Sequence, residues 1–479
     1  MIDTESLKGK IIDLAIQGKL TKQLSTDSDV NALYNRIQKE KARLVKEGII
    51  KKEKSLTEIN ESDIPFPIPD SWKWVTVSNI FNVRSAMRIH MTDWEKSGIP
   101  FLRGRDLVQL AKCGNAEPEV FISRGLYEEL KDKGGVPQKG DILVSAVGTL
   151  GKAYVVTGTQ EFYYKDAYVL CFENIGKVYP EYIKYVIESS FIHDIIYRDA
   201  IGMTVAQMTI TKANTLPIPL PPLEEQNRIV RLVENAFAQI DIINSLQQQY
   251  ESDCEVLKEK IIDAGIRGKL TEQLPEDGNA EDLYAQIQKE KAKLIKEGKI
   301  KKEKPLPEIS DDEISFEIPD NWKWVRLASI ISLQSGQDLS PSDYNGETKG
   351  IPYITGASNI DGIESLIINR WTEYPKAYAY KGYILLSCKG TVGKLTILKE
   401  DVVHIARQIM GIRSFCLDCK YLLYYLESMI NEIKEAQKGL IPGIERKDIL
   451  NLLCPLPPIK EQNRIASKIE AILELVNQV

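Results

Sequence analysis

At 479 residues, 43% hydrophobic and 27% charged, the chain can build two or three globular domains and is neither disordered nor membrane-embedded. Its net charge of −6 gives nucleic-acid binding no help at the level of the whole molecule, although DNA responds to local rather than total charge. Seven scattered cysteines and three histidines offer one CxxC, Cys416 and Cys419, with nothing to complete a zinc site, and fit free thiols in a reducing cytoplasm. No apolar run is long enough to span a bilayer, and MIDTESLKGK lacks the apolar core of a signal peptide.

Residues 1–62 begin with a helical stretch carrying Leu7, Ile11 and Leu14 at spacings of four and three, inside KIIDLAIQGKL at Lys10–Leu20. A basic segment follows from Arg36 to Lys54, where eight lysines and arginines face Glu40, Glu47 and Glu53. It reads as a solvated, charge-laced helix with a polar linker, or as a contact for DNA phosphates or a partner. Residues 63–217 open on WKWV at Trp72–Val75, whose tryptophans are expected in a core. Short β-leaning runs follow, with GDILVSAVGTLGKAYVV from Gly140 marking a hairpin and Tyr182–Ile196 a helix. Arg84, Arg88, His90, Arg103 and Arg105 cluster in the early loops of this segment, and Lys152 lies in the hairpin, near a DNA phosphate in this reading. Arginine is the usual reader of guanine edges.

Residues 218–312 carry the clearest periodicity. Ile229, Val233, Ala236, Ile240, Ile243, Gln247, Tyr250, Cys254, Leu257, Ile261 and Ala264 alternate by four and three, the seam of a coiled coil. A helix from about Glu224 to Leu270 would run on the order of 70 Å. Here the chain begins to repeat itself. KIIDAGIRGKL at Lys260–Leu270 copies Lys10–Leu20, IQKEKAKLIKEGKIKKEKPL from Ile287 copies the segment from Ile37, and IPDNWKWV at Ile318 copies IPDSWKWV at Ile68. The interval is constant.

Residues 313–454 form a second insert with its own hairpin, GYILLSCKGTVGKLTIL from Gly382, and a helical stretch at Tyr421–Ile433. Amide and hydroxyl side chains, Gln334, Gln337, Ser340, Ser342 and Asn359, stand where the first insert has arginines, and Lys389, Lys394 and Arg407 are added as DNA-contact candidates. In residues 455–479, PLPPIKEQNRI from Pro455 repeats PLPPLEEQNRI from Pro219 and sets Ile465, Ile469, Ile472, Val476 and Val479 on the seam positions of Ile229 to Ile243. The two chain ends therefore copy the two halves of the central helix. They are expected to make a split helix packed antiparallel to it, with pseudo-two-fold symmetry.

Catalytic patterns fail. Gly148–Lys152 and Gly390–Lys394 lack the first glycine of a phosphate loop, with Ala146 and Cys388 in its place, and neither lysine precedes Ser or Thr. Asp320, Glu347 and Lys349 could form a magnesium nuclease site, but the copied Pro69-Asp70 has no such companions. A coiled-coil adaptor that binds only proteins is the other alternative.

These duplicated motifs, with two unlike inserts between them, resemble the specificity (S) subunit of type I restriction-modification enzymes along essentially the whole chain. The resemblance implies an α+β fold with two target recognition domains, each a mixed sheet plus helices, separated by a long antiparallel coiled coil. It implies a non-catalytic cytoplasmic protein that reads a bipartite, asymmetric site on double-stranded DNA and uses its coiled coil as a ruler. Two methyltransferase subunits would supply S-adenosylmethionine and flip out adenine, and restriction subunits would supply ATP- and magnesium-dependent work. No cofactor is expected in the chain itself.

Overall fold

A computed structural model describes residues 2–51, 59, 64–198, 206–300, 307–436 and 443–478. The chain divides into two compact units, Met1–Gln248 and Gln249–Val479.

The first unit begins with α1 (Thr4–Ile16), capped by Asp3, whose carboxylate accepts Ser6 N–H at 3.0 Å, and α2 (Val30–Lys46), capped by Asp29. Strand β1 (Lys73–Thr76) and α3 (Val77–Ile80) lead into β2 (Asn82–Ser85). The body of the insert contains β3 (Ile99–Leu102), α4 (Gly104–Cys113), β4 (Phe121–Ile122), α5 (Arg124–Asp132), β5 (Ile142–Ser145), β6 (Ala153–Val155), β7 (Tyr163–Tyr164) and β8 (Val169–Glu173). Helices α6 (Pro180–Glu188), α7 (Ser190–Arg198) and α8 (Ile210–Thr215) follow, and β9 (Pro217–Leu220) returns beside β1, pairing Lys73 with Leu220 and Thr76 with Pro217. The long helix α9 (Leu223–Ile266) starts in this unit, after Pro221 and Pro222, and carries on into the next.

The second unit repeats the plan. It has α10 (Ala280–Lys296), β10 (Lys323–Arg326), α11 (Leu327–Ile330), β11 (Ile331–Ser335), β12 (Ile351–Ile354), the small ladder β13 (Ile360–Gly362) with β14 (Ser365–Leu366), β15 (Trp371–Thr372) and β16 (Tyr378–Tyr380). Then come β17 (Ile384–Ser387), β18 (Leu395–Ile397), β19 (Val402–Ile405), β20 (Ile409–Ser414), α12 (Cys419–Ala436), α13 (Arg446–Leu450), β21 (Leu453–Leu456) and α14 (Ile459–Gln478). One antiparallel four-stranded sheet has the order β2-β8-β5-β6 in the first unit and β11-β20-β17-β18 in the second. A second sheet is built around a parallel pair, β3 with β7 and β12 with β19. The two inserts therefore share one topology. They differ in what is added: α4 and α5 in the first, the β13–β14 ladder and edge strand β16 in the second.

Both expected hairpins are present as β5–β6 and β17–β18. The helical expectation at Tyr182–Ile196 resolves into two helices that meet at Ser189–Ser190, where Asp13 of α1 accepts Ser190 N–H at 3.0 Å and its hydroxyl at 2.7 Å. Trp72 and Trp322 are buried, while Trp74 and Trp324 are half-buried. Frame and insert share a core, with Ala15, Ile37, Trp72, Ile218 and Val233 of the frame in one cluster with Ile142, Phe172 and Tyr182 of the insert, while Phe101, Leu107, Leu143 and Tyr163 belong to a second cluster of the insert alone. Helix α2 is the charge-laced helix, with Arg43 bridging Glu40 at 2.7 Å and Glu47 at 2.8 Å. It is tied down by Gln38, which donates to the Asn79 carbonyl at 2.8 Å. Lys52, Lys54 and Lys301–Lys304, which end the basic segments, lie outside the described residues, as does Val479.

Each chain end pairs antiparallel with its own portion of α9. In the first unit Ile2 meets Gln247, N–H to Oε1 at 2.8 Å, and Lys8 meets Asp241 at 2.6 Å. In the second, α14 approaches α9 closely at Gly265, where an added Cβ would fall 2.7 Å from Ile469 Cδ1. Of the seam residues, Ile229, Val233, Ile240, Ile261, Ile465 and Ile469 are buried, and Leu7, Ile11, Ile243, Ile472 and Val476 are half-buried. Two need correction: Leu14 is 40% and Leu257 45% exposed. Helix α1 packs against α6 and α7 as well as α9, so its buried face turns to Ile12, Ala15 and Ile16. The last turns of α9 likewise bury Ile261, Ile262 and Ile266. A two-helix heptad describes neither end, because these helices have more than one neighbour.

The copied GKL and IPD-WKWV motifs meet in space. Gly18 ends α1 with φ +69, and a Cβ there would lie 2.5 Å from Pro69 Cγ; Gly268 repeats this with φ +69 and 2.8 Å to Pro319 Cγ. We expect Gly18→Ala or Gly268→Ala to cost about 1–2 kcal/mol, from the left-handed backbone and the proline contact together. Urea unfolding midpoints check this.

Two ion pairs bind the loops after these glycines to the helix starts. Arg228 grips Asp27 at 2.7 and 2.6 Å, and Arg464 grips Asp277 at the same two distances. The arginine hydrogen bonds hold both carboxyls below the usual aspartate range. A depressed folded-state pKa gives stability that is complete above the unfolded value, about 3.9, and lost as pH falls through the folded one. Stability should therefore drop below about pH 4, and a doubly substituted Asp27→Asn, Asp277→Asn chain should show a smaller drop in the same acid titration.

Candidate nucleic-acid interface

In the first unit three loops converge at one mouth: the end of β3, the β5–β6 hairpin turn and the turn before β8. Lys165 N–H donates to the Leu102 carbonyl at 2.9 Å, Ala146 N–H to the Tyr168 carbonyl at 2.9 Å, and Ala167 N–H to Ser85 Oγ at 3.0 Å. They enclose a shallow cleft of about 500 Å³ lined by Arg103, Gly104, Arg105, Val147, Gly148, Thr149, Lys165 and Tyr168. Arg103 and Arg105 both reach Glu119, Arg103 at 3.2 Å. Hydrogen bonds from Arg103 and then Arg105 hold the Glu119 carboxyl below the usual range. Arg105 remains 59% exposed, so its guanidinium can trade this carboxylate for a phosphate or a base edge.

Arg88 is exposed, with no hydrogen bond or ion pair to its side chain among the described residues. Lys152 is half-buried at the foot of the hairpin, where its N–H donates to Ser145 Oγ at 2.9 Å. Arg84 is corrected. It lies on strand β2 rather than in a loop and donates to Glu173, to the Gly135 carbonyl at 2.9 Å and to Tyr164 Oη at 3.3 Å. With all of its fork engaged inside the insert, it joins the two sheets and does not face a ligand.

The second unit builds the same mouth from different side chains. Ala406 N–H donates to the Ile354 carbonyl at 2.9 Å, and Cys388 N–H to the Gln408 carbonyl at 2.8 Å. Lys389 and Gln337 are exposed, and Arg407 is held by Asp338 at 2.8 Å while 69% exposed. Lys394 donates to the Ile360 carbonyl at 3.0 Å, bracing the hairpin against the β13 strand. Asn359 is corrected: it is fully buried, its Oδ1 accepting Thr355 N–H at 2.9 Å and its Nδ2 donating to the Ile367 carbonyl at 2.7 Å. Its amide is spent on shaping the loop after β12. Lys165, Tyr168, Glu119 and Gln408 were not singled out from sequence. For Lys165, Tyr168 and Gln408 the signal available was a place at or within three residues of the start of the apolar strand run, YVLCF or IMGI, that follows each hairpin; Glu119, just ahead of β4, falls outside that pattern.

The magnesium arrangement is also corrected. Glu347 and Lys349 pair with each other at 2.7 Å in the exposed loop before β12, while Asp320 sits in the frame beside Phe316 and Trp324. Among the described residues no group of three or more His, Cys, Asp or Glu could hold a metal, and no helix is long and apolar enough to cross a membrane.

Comparison with known proteins agrees with this architecture. A family model described as the type I restriction modification DNA specificity domain matches residues 69–252 and 319–478. Among curated relatives, the type I restriction enzyme EcoAI specificity subunit of Escherichia coli is 26% identical across 99% of this chain and 90% of its own length. The EcoEI specificity subunit of Escherichia coli is 26% identical over the same shares. A solved chain from work on complex assembly and conformational transition of the type I R-M system superposes with a TM-score of 0.62 at 22% identity, covering 86% of this chain and 93% of that one. The HsdS subunit from Thermoanaerobacter tengcongensis gives 0.51 at 21%, covering 86% and 92%. The nuclease and protein-only adaptor readings have no support in these matches. With two copies of the domain matched over more than half its length, the chain belongs to the family of type I restriction-modification DNA specificity proteins.

Proposed function

We propose that this chain is the non-catalytic, DNA-reading subunit of a type I restriction-modification complex, each unit reading one half of a bipartite, asymmetric site. The observation that carries the reading is the shared mouth: one strand order and one set of backbone hydrogen bonds, lined by arginines and a tyrosine in one unit and by amides, Lys389 and Arg407 in the other. Unlike linings on one scaffold are what two unlike half-sites require. Arg88, Arg103, Arg105 and Lys152 would serve the first half-site, and Gln337, Lys389, Lys394 and Arg407 the second. Lys394 and Lys152 act from the hairpin bases.

In this reading two methyltransferase subunits bring S-adenosylmethionine and flip adenine out of the duplex. Restriction subunits bring ATP and magnesium, and no chemical step falls to this chain. Methylome sequencing of cells carrying the protein with its methyltransferase tests the proposal. A two-part motif with unlike halves is expected, and replacing residues 77–216 by a related insert should change one half only. Identical halves, or a motif altered in both halves by one replacement, would defeat it. Binding to cognate duplex should also weaken steeply between 50 and 200 mM salt, as counterion release demands.

A further inference from the structure

The first mouth carries an exposed tyrosine, Tyr168, and the second carries an exposed glutamine, Gln408, at the same place. Val169 pairs with Ser145 and Ile409 with Ser387, so the residues just before them, Tyr168 and Gln408, are structural equivalents. Both give their carbonyl to the hairpin strand, to Ala146 N–H and Cys388 N–H; the Tyr168 side chain lines the cleft, and that of Gln408 is exposed at the equivalent place. Both lie over a glycine. A Cβ on Gly104 would sit 3.8 Å from Tyr168 Cδ1, and one on Gly356 would sit 2.6 Å from Gln408 Oε1.

Both are also unspent. Tyr168 is 42% exposed, its ring capped by Lys165 Nζ at 4.6 Å from the centroid, and its hydroxyl has no hydrogen bond among the described residues. Gln408 is exposed, and its amide likewise has none. The chain spends conformational energy to present the first of them. Tyr168 N–H closes a three-residue turn on the Asp166 carbonyl at 2.8 Å, with the non-glycine Ala167 at φ +61. Such turns are strained and collect at ligand-facing sites.

We infer that Tyr168 and Gln408 occupy one specificity-determining position, duplicated in the two units, with Gln408 reading an adenine edge. A glutamine amide matches adenine N6 and N7 in the major groove, accepting from one and donating to the other. Tyr168 brings a hydroxyl and an apolar ring edge, a chemistry that cannot reproduce that pair of bonds. The two half-sites therefore differ at the corresponding base pair. This rests on the DNA-reading function proposed above and adds the residue that discriminates.

The test uses the full chain assembled with its methyltransferase subunits and a duplex set in which each base pair of the site is changed in turn. For Gln408→Ala, the preference for adenine, about 10- to 100-fold, should vanish at one position of one half-site and persist elsewhere. Tyr168→Ala should relax one position in the other half. Gly356→Ala gives an independent route, because its methyl displaces only the flexible end of Gln408. It should relax the same position as Gln408→Ala while keeping the wild-type melting temperature. A Gln408→Ala complex with every preference intact, or one that loses binding to all sequences equally, would overturn the inference. A wild-type complex without a bipartite motif would instead bring down the proposed function.

Discussion

Glu461→Ala is expected to destabilise the second unit by about 3–5 kcal/mol, and Glu225→Ala the first by a similar amount. Both carboxylates are fully buried at the head of a helix. Glu225 accepts from Trp72 Nε1 at 2.8 Å, Thr21 Oγ1 at 2.7 Å and Gln23 Nε2 at 3.0 Å. Glu461 accepts from Trp322 Nε1 at 2.8 Å, Thr271 Oγ1 at 3.1 Å and Gln273 Nε2 at 2.8 Å. Their place in the first turn of α9 and α14 adds a favourable helix dipole. Alanine would leave three donors stranded, the indole among them fully desolvated, at about 1–3 kcal/mol each before relaxation. Glutamine at the same place keeps an acceptor for the indole and should lose less. Denaturant unfolding followed by tryptophan fluorescence reads the effect directly, since Trp72 and Trp322 are the partners. Variants within 1 kcal/mol of wild type would show that the carboxylate is not what fastens the loop to the helix.

Arg84→Ala is the second large effect, about 2–4 kcal/mol, from breaking a part-buried pair and uncovering the Gly135 carbonyl. The side chain is 19% exposed and Glu173 24%, so solvent can repay only a fraction of the loss. The variant discriminates two roles. A scaffold residue changes the melting temperature and leaves the sequence preference of the folded complex intact. A base reader does the reverse. The geometry predicts the first outcome, measured by thermal melting beside the methylation motif.

The frame was legible in the sequence because its residues make one another's contacts. Within EEQNR, Glu225 holds Trp72, Gln226 accepts Tyr179 N–H at 3.0 Å and Arg228 holds Asp27. Glu225 and Arg228 and their partners Trp72 and Asp27 recur in the second copy as Glu461, Arg464, Trp322 and Asp277, so each of these contacts is duplicated whole. The hairpins were legible from glycine-bounded apolar runs. What escaped was whatever depends on a third neighbour. Leu14 fits a heptad but not a helix that also packs on α6 and α7. Arg84 and Asn359 carry base-reading side chains, and only their burial shows that the protein itself consumes them. Tyr168 and Gln408 share no residue type, and backbone hydrogen bonds alone make them equivalent.

The pairing of Lys73 with Leu220, and of Lys323 with Leu456, has a consequence for how such a protein can change over generations. The chain leaves and re-enters the frame on adjacent strands, about 5 Å apart. Foreign DNA recombined between those two points would therefore encode a segment whose ends already meet the required spacing. Lineages could trade one recognition module for another in a single genetic crossover, acquiring a new specificity without first accumulating compensating changes in the scaffold that carries it.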